Sequence, residues 1–114
     1  MGKSSMGKKF GTRQKPRKHG VSIAPLFKLG QVVSTPGIRA LLQTIEVDTD
    51  NLFQRHVRGD WGVVDARARE DNWRGLKNKY RVLSIYELSC GAVIVIVTEF
   101  YNDSLTVIML QDEY

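Results

Sequence analysis

The segment "RHVRGDWG" is the densest group of side chains in this chain that could do chemistry. His56 stands near arginines and an aspartate and could act as a general base, because imidazole exchanges protons near neutral pH. Arg55 and Arg58 could bind phosphate, and Trp61 could either stack on a base or fill the core. The spacing favours a structural role for His56, which follows Leu52 by one helical turn on the same apolar stripe.

The helix that carries this stripe is predicted to end inside the segment. "DTDNLFQRHVRG" begins with capping residues, and Gly59 stands where a helix end favours the left-handed backbone conformation. We therefore expect a half-buried His56 with a satisfied ring nitrogen, and we expect Arg55 and Arg58 on the exposed side. No second metal ligand stands one turn from His56, so we predict neither a catalytic residue nor a metal site.

Positive charge is concentrated at the N-terminus. The first 28 residues hold eight lysines and arginines and no acid, whereas the remainder holds nine bases and twelve acids, a net charge of −3. Residues 1–20 have few apolar side chains, which predicts a disordered basic tail before a single domain at 21–114. Such a tail can bind DNA or RNA by releasing counterions, or it can act only as a solubilising segment. The predicted nucleic-acid-binding residues are Lys8, Lys9, Arg13, Lys15, Arg17, Lys18, Arg55 and Arg58.

Composition excludes several classes of protein. The chain has 114 residues and one cysteine, Cys90, so an internal disulfide and a multi-cysteine zinc site are excluded. One free thiol favours the cytoplasm. The longest apolar run, at 92–97, is far shorter than the roughly 20 residues of a membrane-spanning helix, so we expect no membrane contact. No glycine-rich phosphate loop or nucleophile elbow is present, and we predict no cofactor.

The order of elements predicts an α+β fold. A short apolar run at 30–34 indicates an N-terminal edge strand, and two to three helices follow, the first beginning near Pro36. "YRVLSIYEL", "AVIVIVTE" and "LTVIML" predict a three-stranded antiparallel meander, because only short turns separate them. The middle strand is apolar on both faces, so helices are expected on one face and a second copy of the chain could cover the other.

Five segments resemble a family of small bacterial proteins that are labelled plasmid-related and are carried on plasmids and integrated elements. The segments are "LGQVVSTPG", "RHVRGDWG", "RVLSIYEL", "IVTE" and "MLQDEY", and they lie within residues 28–114. The resemblance implies a mobile-element setting and brings no enzymatic activity with it. Typical members continue the middle strand into an acidic, arginine-containing turn, whereas Phe100, Tyr101, Asn102 and Asp103 stand here.

Two hypotheses of function follow. The first is a non-enzymatic accessory protein of a mobile element, which binds nucleic acid or an acidic protein through the basic tail and forms a homodimer through the sheet. The alternative is a RelE-like endoribonuclease toxin, which rests on the order of elements alone. Its candidate residues are Arg81, Tyr86 and Tyr101. The net negative charge of the folded part disfavours an RNA-cleaving surface.

Overall fold

Residues 20–101 and 103–114 are described by the computed structural model, and they form a mixed sheet with three helices. The strands are β1 (Gln31–Ser34), β2 (Arg81–Glu87), β3 (Val93–Glu99) and β4 (Leu105–Leu110). Their spatial order is β1-β4-β3-β2, with β1 parallel to β4 and the other neighbours antiparallel. The α+β class, the N-terminal edge strand and the antiparallel meander with a central middle strand are therefore confirmed.

The helices begin at the residues that their capping chemistry indicates. They are α1 (Pro36–Leu42), α2 (Thr49–Val57) and α3 (Ala66–Asn78), and a 3₁₀ turn at Gln111–Glu113 closes the chain. Each first turn has a side chain that accepts from a free backbone N–H: Thr35 for α1, Asp48 for α2 and Asp65 for α3.

The core has two neighbouring clusters that share the sheet. The first joins α1 and α2 to the sheet, and its buried members are Ile38, Leu52, Tyr86, Ile94, Ile96 and Ile108. The second cluster surrounds Trp61, Val64 and Val82, with Trp73 packed against it. Strand β3 is buried on both faces, because Val95 and Val97 are as inaccessible as Ile94 and Ile96.

Helix α3 covers the outer edge of β2. The Asn72 side chain donates to the Leu83 carbonyl at 2.8 Å and accepts from the Leu83 N–H at 2.9 Å, so it pairs backbone groups that point away from β3. A Cβ on Gly75 would lie 1.9 Å from the Arg81 carbonyl oxygen, so only glycine lets the helix approach this closely. The outer edge of β2 is thereby closed at Leu83 to pairing with another chain.

Candidate nucleic-acid interface

Arg55 forms an ion pair with Asp60 beside a tyrosine ring. Its Nε and Nη2 donate to the two Asp60 carboxylate oxygens at 2.8 and 3.2 Å, and its Cζ lies 4.6 Å from the centre of the Tyr86 ring. The hydrogen bond from Arg55 holds the pKa of the Asp60 carboxyl below its ordinary value. Arg55 is half-buried rather than freely exposed, and part of its charge is already neutralised.

His56 is completely buried, more deeply than its position on the apolar stripe predicts. Its Nδ1 lies 2.6 Å from Ser84 Oγ and its Nε2 lies 2.9 Å from Thr98 Oγ1. The chain of hydrogen bonds continues from Thr98 to Thr106 over 2.7 Å and ends on the Leu29 carbonyl over 2.6 Å. We call these four linked side chains the histidine network.

The carbonyl at the end of the histidine network fixes the direction of the hydrogen bonds between it and His56. Leu29 O can only accept, so Thr106 must donate to it, and Thr98 must then donate to Thr106. His56 therefore donates from Nε2 to Thr98, and in the neutral imidazole Nδ1 then accepts from Ser84. Burial lowers the pKa of His56 to about 3, in agreement with this protonation state. The network is satisfied internally and inaccessible to a substrate.

Trp61 is a core residue. It is 1% exposed, its indole N–H donates to the His56 carbonyl at 3.0 Å, and its ring meets Trp73 edge-on at 5.3 Å. The question that the sequence left open between stacking on a base and filling the core is thus decided for the core. "RHVRGDWG" is mainly the end of α2 and the corner that follows it.

Arg58 is the exposed cation of this segment, and the described chain begins beside it. The Ser22 N–H donates to the Arg58 carbonyl at 2.7 Å, and the Leu26 N–H donates to the Val57 carbonyl at 2.7 Å. Gly59 adopts the positive φ of +90° that its place after α2 predicts. The start of the folded domain therefore runs along the C-terminal end of α2 and is hydrogen-bonded to the Arg58 backbone.

The tail cations lie outside the described residues, and so does the predicted disorder of this segment. They are Lys8, Lys9, Arg13, Lys15, Arg17 and Lys18. Lys18 precedes Gly20, the first described residue, by two positions. Of the predicted nucleic-acid-binding residues, the structure thus places Arg58 and Arg55, and the first of these lies where the tail joins the domain.

A cleft of about 550 Å³ opens between α3 and the adjoining ends of β2 and β3. Tyr80 precedes β2 and Tyr101 follows β3, and both side chains line the cleft while about 60% exposed. The Phe100 N–H donates to the Tyr80 carbonyl at 3.1 Å, so the two ends are held side by side. We call this site the tyrosine–arginine cleft because Arg81 and Arg74 also line it.

The charged groups of the tyrosine–arginine cleft are unequally paired. Arg74 forms an ion pair with Asp71 at 2.8 Å on the exposed face of α3. Arg81 and Glu99 are register partners on β2 and β3, yet no ion pair joins them, and Arg81 has no side-chain hydrogen bond to any residue in the described ranges. An arginine with free donors beside exposed tyrosine rings can contact a phosphate and an aromatic ring together.

The three residues considered for an RNA-cleaving site do not come together. Arg81 and Tyr101 share the cleft, but Tyr86 is buried in the first core cluster and its hydroxyl donates to the Asp60 carbonyl at 2.8 Å. Burial raises the pKa of Tyr86 above its ordinary value. The contribution of Tyr80 was missed, although the hairpin between β2 and β3 predicts that residues before one strand and after the other meet.

Comparisons with known proteins supply no relative for this chain. No protein family, curated protein or solved structure matches it. Among the described residues no three histidine, cysteine or acidic side chains are grouped as a metal ion would require. None of the helices within those ranges has the length and apolar character needed to cross a bilayer.

Proposed function

We propose that this protein is a non-enzymatic nucleic-acid-binding accessory protein of a mobile element. The observation that carries the proposal is the junction at Arg58, where Ser22, which follows a segment with seven cations in residues 1–20, donates to the backbone carbonyl of an exposed arginine. These cations are separated in sequence from the acids, which all follow residue 28. A segment of this kind attracts the phosphate backbone, whatever its base sequence.

The test is fluorescence anisotropy of the full chain with labelled duplex and single-stranded oligonucleotides of matched sequence in low salt. In the glutamine-tail variant, all six tail cations are replaced by glutamine. We expect this variant and Arg58→Ala to bind both kinds of oligonucleotide more weakly. Arg39→Ala is the matched control, because Arg39 lies on α1, which packs on β4 away from this junction. Undetectable binding of the unmodified chain would overturn the proposal.

An endoribonuclease toxin is the second candidate, supported by the presence of Arg81, Tyr101 and Glu99 in one cleft. A cation and two groups able to exchange or hold a proton could act on the ribose 2′-hydroxyl and the phosphate. Induction of the protein in bacteria tests it, with Arg81→Ala as the comparison. Growth arrest that Arg81→Ala relieves would favour the toxin, whereas normal growth with intact RNA would exclude it.

A homodimer through the sheet stays a prediction. Its support is apolar surface on the strands, since Val33 of β1 and Leu105 of β4 are about 40% exposed and occupy the same face of the sheet. Sedimentation equilibrium of the full chain and of Leu105→Lys checks it. We expect a dimer that the lysine weakens, and a monomer at all concentrations would contradict it.

A further inference from the structure

We propose that the tyrosine–arginine cleft binds one unstacked nucleotide of a single-stranded nucleic acid, with the base on Tyr80 or Tyr101 and the phosphate on Arg81. This inference rests on the proposed function and assigns it a second site in the folded domain. Such a site would make the protein bind single strands and duplexes differently, which the tail cations alone cannot do.

The two tyrosine rings of the cleft are largely exposed to solvent. Large aromatic side chains are normally buried because each removes much apolar area from water. In this chain Trp61 and Tyr86 follow that rule, whereas Tyr80 and Tyr101 remain about 60% exposed in one cleft. Exposed rings at the rim of a concave site are suited to stacking, since every base has a face that can lie against them.

Arg81 supplies a positive charge that no described residue pairs with. Its guanidinium lines the cleft without a hydrogen bond or ion pair to the described residues, so its donors are available to a phosphate. Arg55 shows the contrasting case, because its Nε and Nη2 donate to the two carboxylate oxygens of Asp60. The cleft thus combines stacking surface with a free cation, and its volume lies within the range of about 300–1,000 Å³ that ligand sites occupy.

The carboxylate of Glu99 indicates where base edges could be read. Glu99 lines the same cleft and has no ion pair with its register partner Arg81. An ionised carboxylate only accepts hydrogen bonds, so it favours bases that present amino or imino donors and disfavours uracil and thymine, which present fewer. We therefore expect weaker binding of pyrimidine strands that lack amino groups.

The cleft is also connected to the tail junction by aromatic packing. Phe27, which directly follows the Leu26 that is hydrogen-bonded to the end of α2, meets Phe100 edge-on at 5.4 Å. Phe100 precedes Tyr101 in the chain. The segment that follows the tail therefore packs beside the end of β3 that leads into the cleft.

The experiment measures affinities of the full chain for matched single-stranded RNA, single-stranded DNA and duplex, together with free nucleoside monophosphates. We expect Arg81→Ala and the double variant Tyr80→Ala/Tyr101→Ala, which removes both rings, each to weaken single-strand binding about tenfold and to leave duplex binding unchanged. Tyr101→Phe keeps the ring and should bind as the unmodified chain does, and Arg39→Ala is the control for charge. Unfolding curves of each variant establish that it folds.

A second measurement locates the base directly. A single strand carrying 5-iodocytosine, which keeps an amino donor for Glu99, is photocrosslinked to the full chain, and the modified residue is mapped by mass spectrometry. We expect the adduct on Tyr80 or Tyr101. Adducts elsewhere, or equal loss of single-strand and duplex affinity in the cleft variants, overturn the cleft proposal while tail binding stands. Failure of the unmodified chain to bind any of these nucleic acids overturns both proposals. Binding of nucleoside monophosphates without binding of single strands overturns the cleft proposal, because the cleft would then be a site for free nucleotides.

Discussion

The histidine network and the tyrosine–arginine cleft are both rich in groups that could do chemistry, but they differ in how those groups are paired. In the histidine network, each hydroxyl and each ring nitrogen has a hydrogen-bond partner within the core, and His56 is wholly buried. In the cleft, Arg81 is unpaired among the described residues and two tyrosines are exposed. Composition alone therefore does not distinguish the two regions, whereas the hydrogen-bond partners of their side chains do.

The largest expected effect is on stability and comes from the network. His56→Leu leaves the Ser84 hydroxyl without its acceptor and Thr98 without its donor inside the core. We expect a loss of about 3 kcal/mol of unfolding free energy, measured by urea denaturation near neutral pH. Nucleic-acid affinity of the folded variant should be unchanged. A loss below about 0.5 kcal/mol would show that the network is not a structural element.

The second prediction concerns the pH dependence of stability. His56 is neutral in the folded state with a pKa of about 3, whereas the unfolded chain protonates it near its ordinary pKa of 6.5. Stability from this group is fully present above the unfolded pKa and falls as the pH drops below it, because the unfolded state then binds more protons. Between about pH 7 and about pH 5 we expect a loss of about 2 kcal/mol.

His56→Leu is the control for this pH dependence. It should remove most of the change in unfolding free energy between about pH 7 and about pH 5. Asp60 and Glu113 also have lowered pKa values, but their unfolded values of 3.8 and 4.5 place their effects at lower pH. Denaturation of both proteins over the same series of buffers measures the difference. Equal slopes in the two proteins would contradict a buried neutral histidine.

The third prediction concerns Asn72, which belongs to the cleft but also supports the sheet. Asn72 lines the cleft, yet its amide pairs with the backbone of Leu83 at the edge of β2. We expect Asn72→Ala to cost about 1 to 2 kcal/mol of unfolding free energy, because two hydrogen bonds are lost beside the sheet. Asp71→Ala, one position earlier on the exposed face, is the matched control and should be nearly neutral. Equal effects of the two substitutions would argue against a structural role for Asn72.

The smallest expected effect on stability is in the cleft itself. Arg81→Ala and Tyr101→Ala remove exposed side chains with no partner among the described residues, so unfolding free energy should change by less than about 0.5 kcal/mol. Thermal and urea unfolding measure it. A larger loss would show that these side chains hold the fold together and would remove the contrast with the histidine network.

Much of the fold could be predicted because local chemistry and tertiary packing agree there. Asp65 caps α3, Gly59 follows α2 with a positive φ, and the apolar run of β3 lies at the centre of the sheet. The extent of the first helix was predicted less well. Its start near Pro36 was predicted, whereas its end at Leu42, where the side chain is 37% exposed, was not.

The candidate site could be predicted only in part. The burial of His56 depends on two hydroxyls that are 28 and 42 residues away in sequence, and no local pattern indicates which strand positions face it. The pairing of Arg55 with Asp60 likewise reflects the corner that follows α2. Arg81 and Tyr101 were found as candidates for a different chemistry, and their association follows from the register of β2 and β3.

We propose that phosphate contacts of the tail cations attract nucleic acid to the domain. The most direct test is the salt dependence of duplex binding by the unmodified chain and by the glutamine-tail variant. We predict that the slope of log affinity against log salt becomes shallower by about 3 to 5 in the variant, since each lost phosphate contact removes about 0.9. Identical slopes, or no binding by the unmodified chain at low salt, would contradict the account.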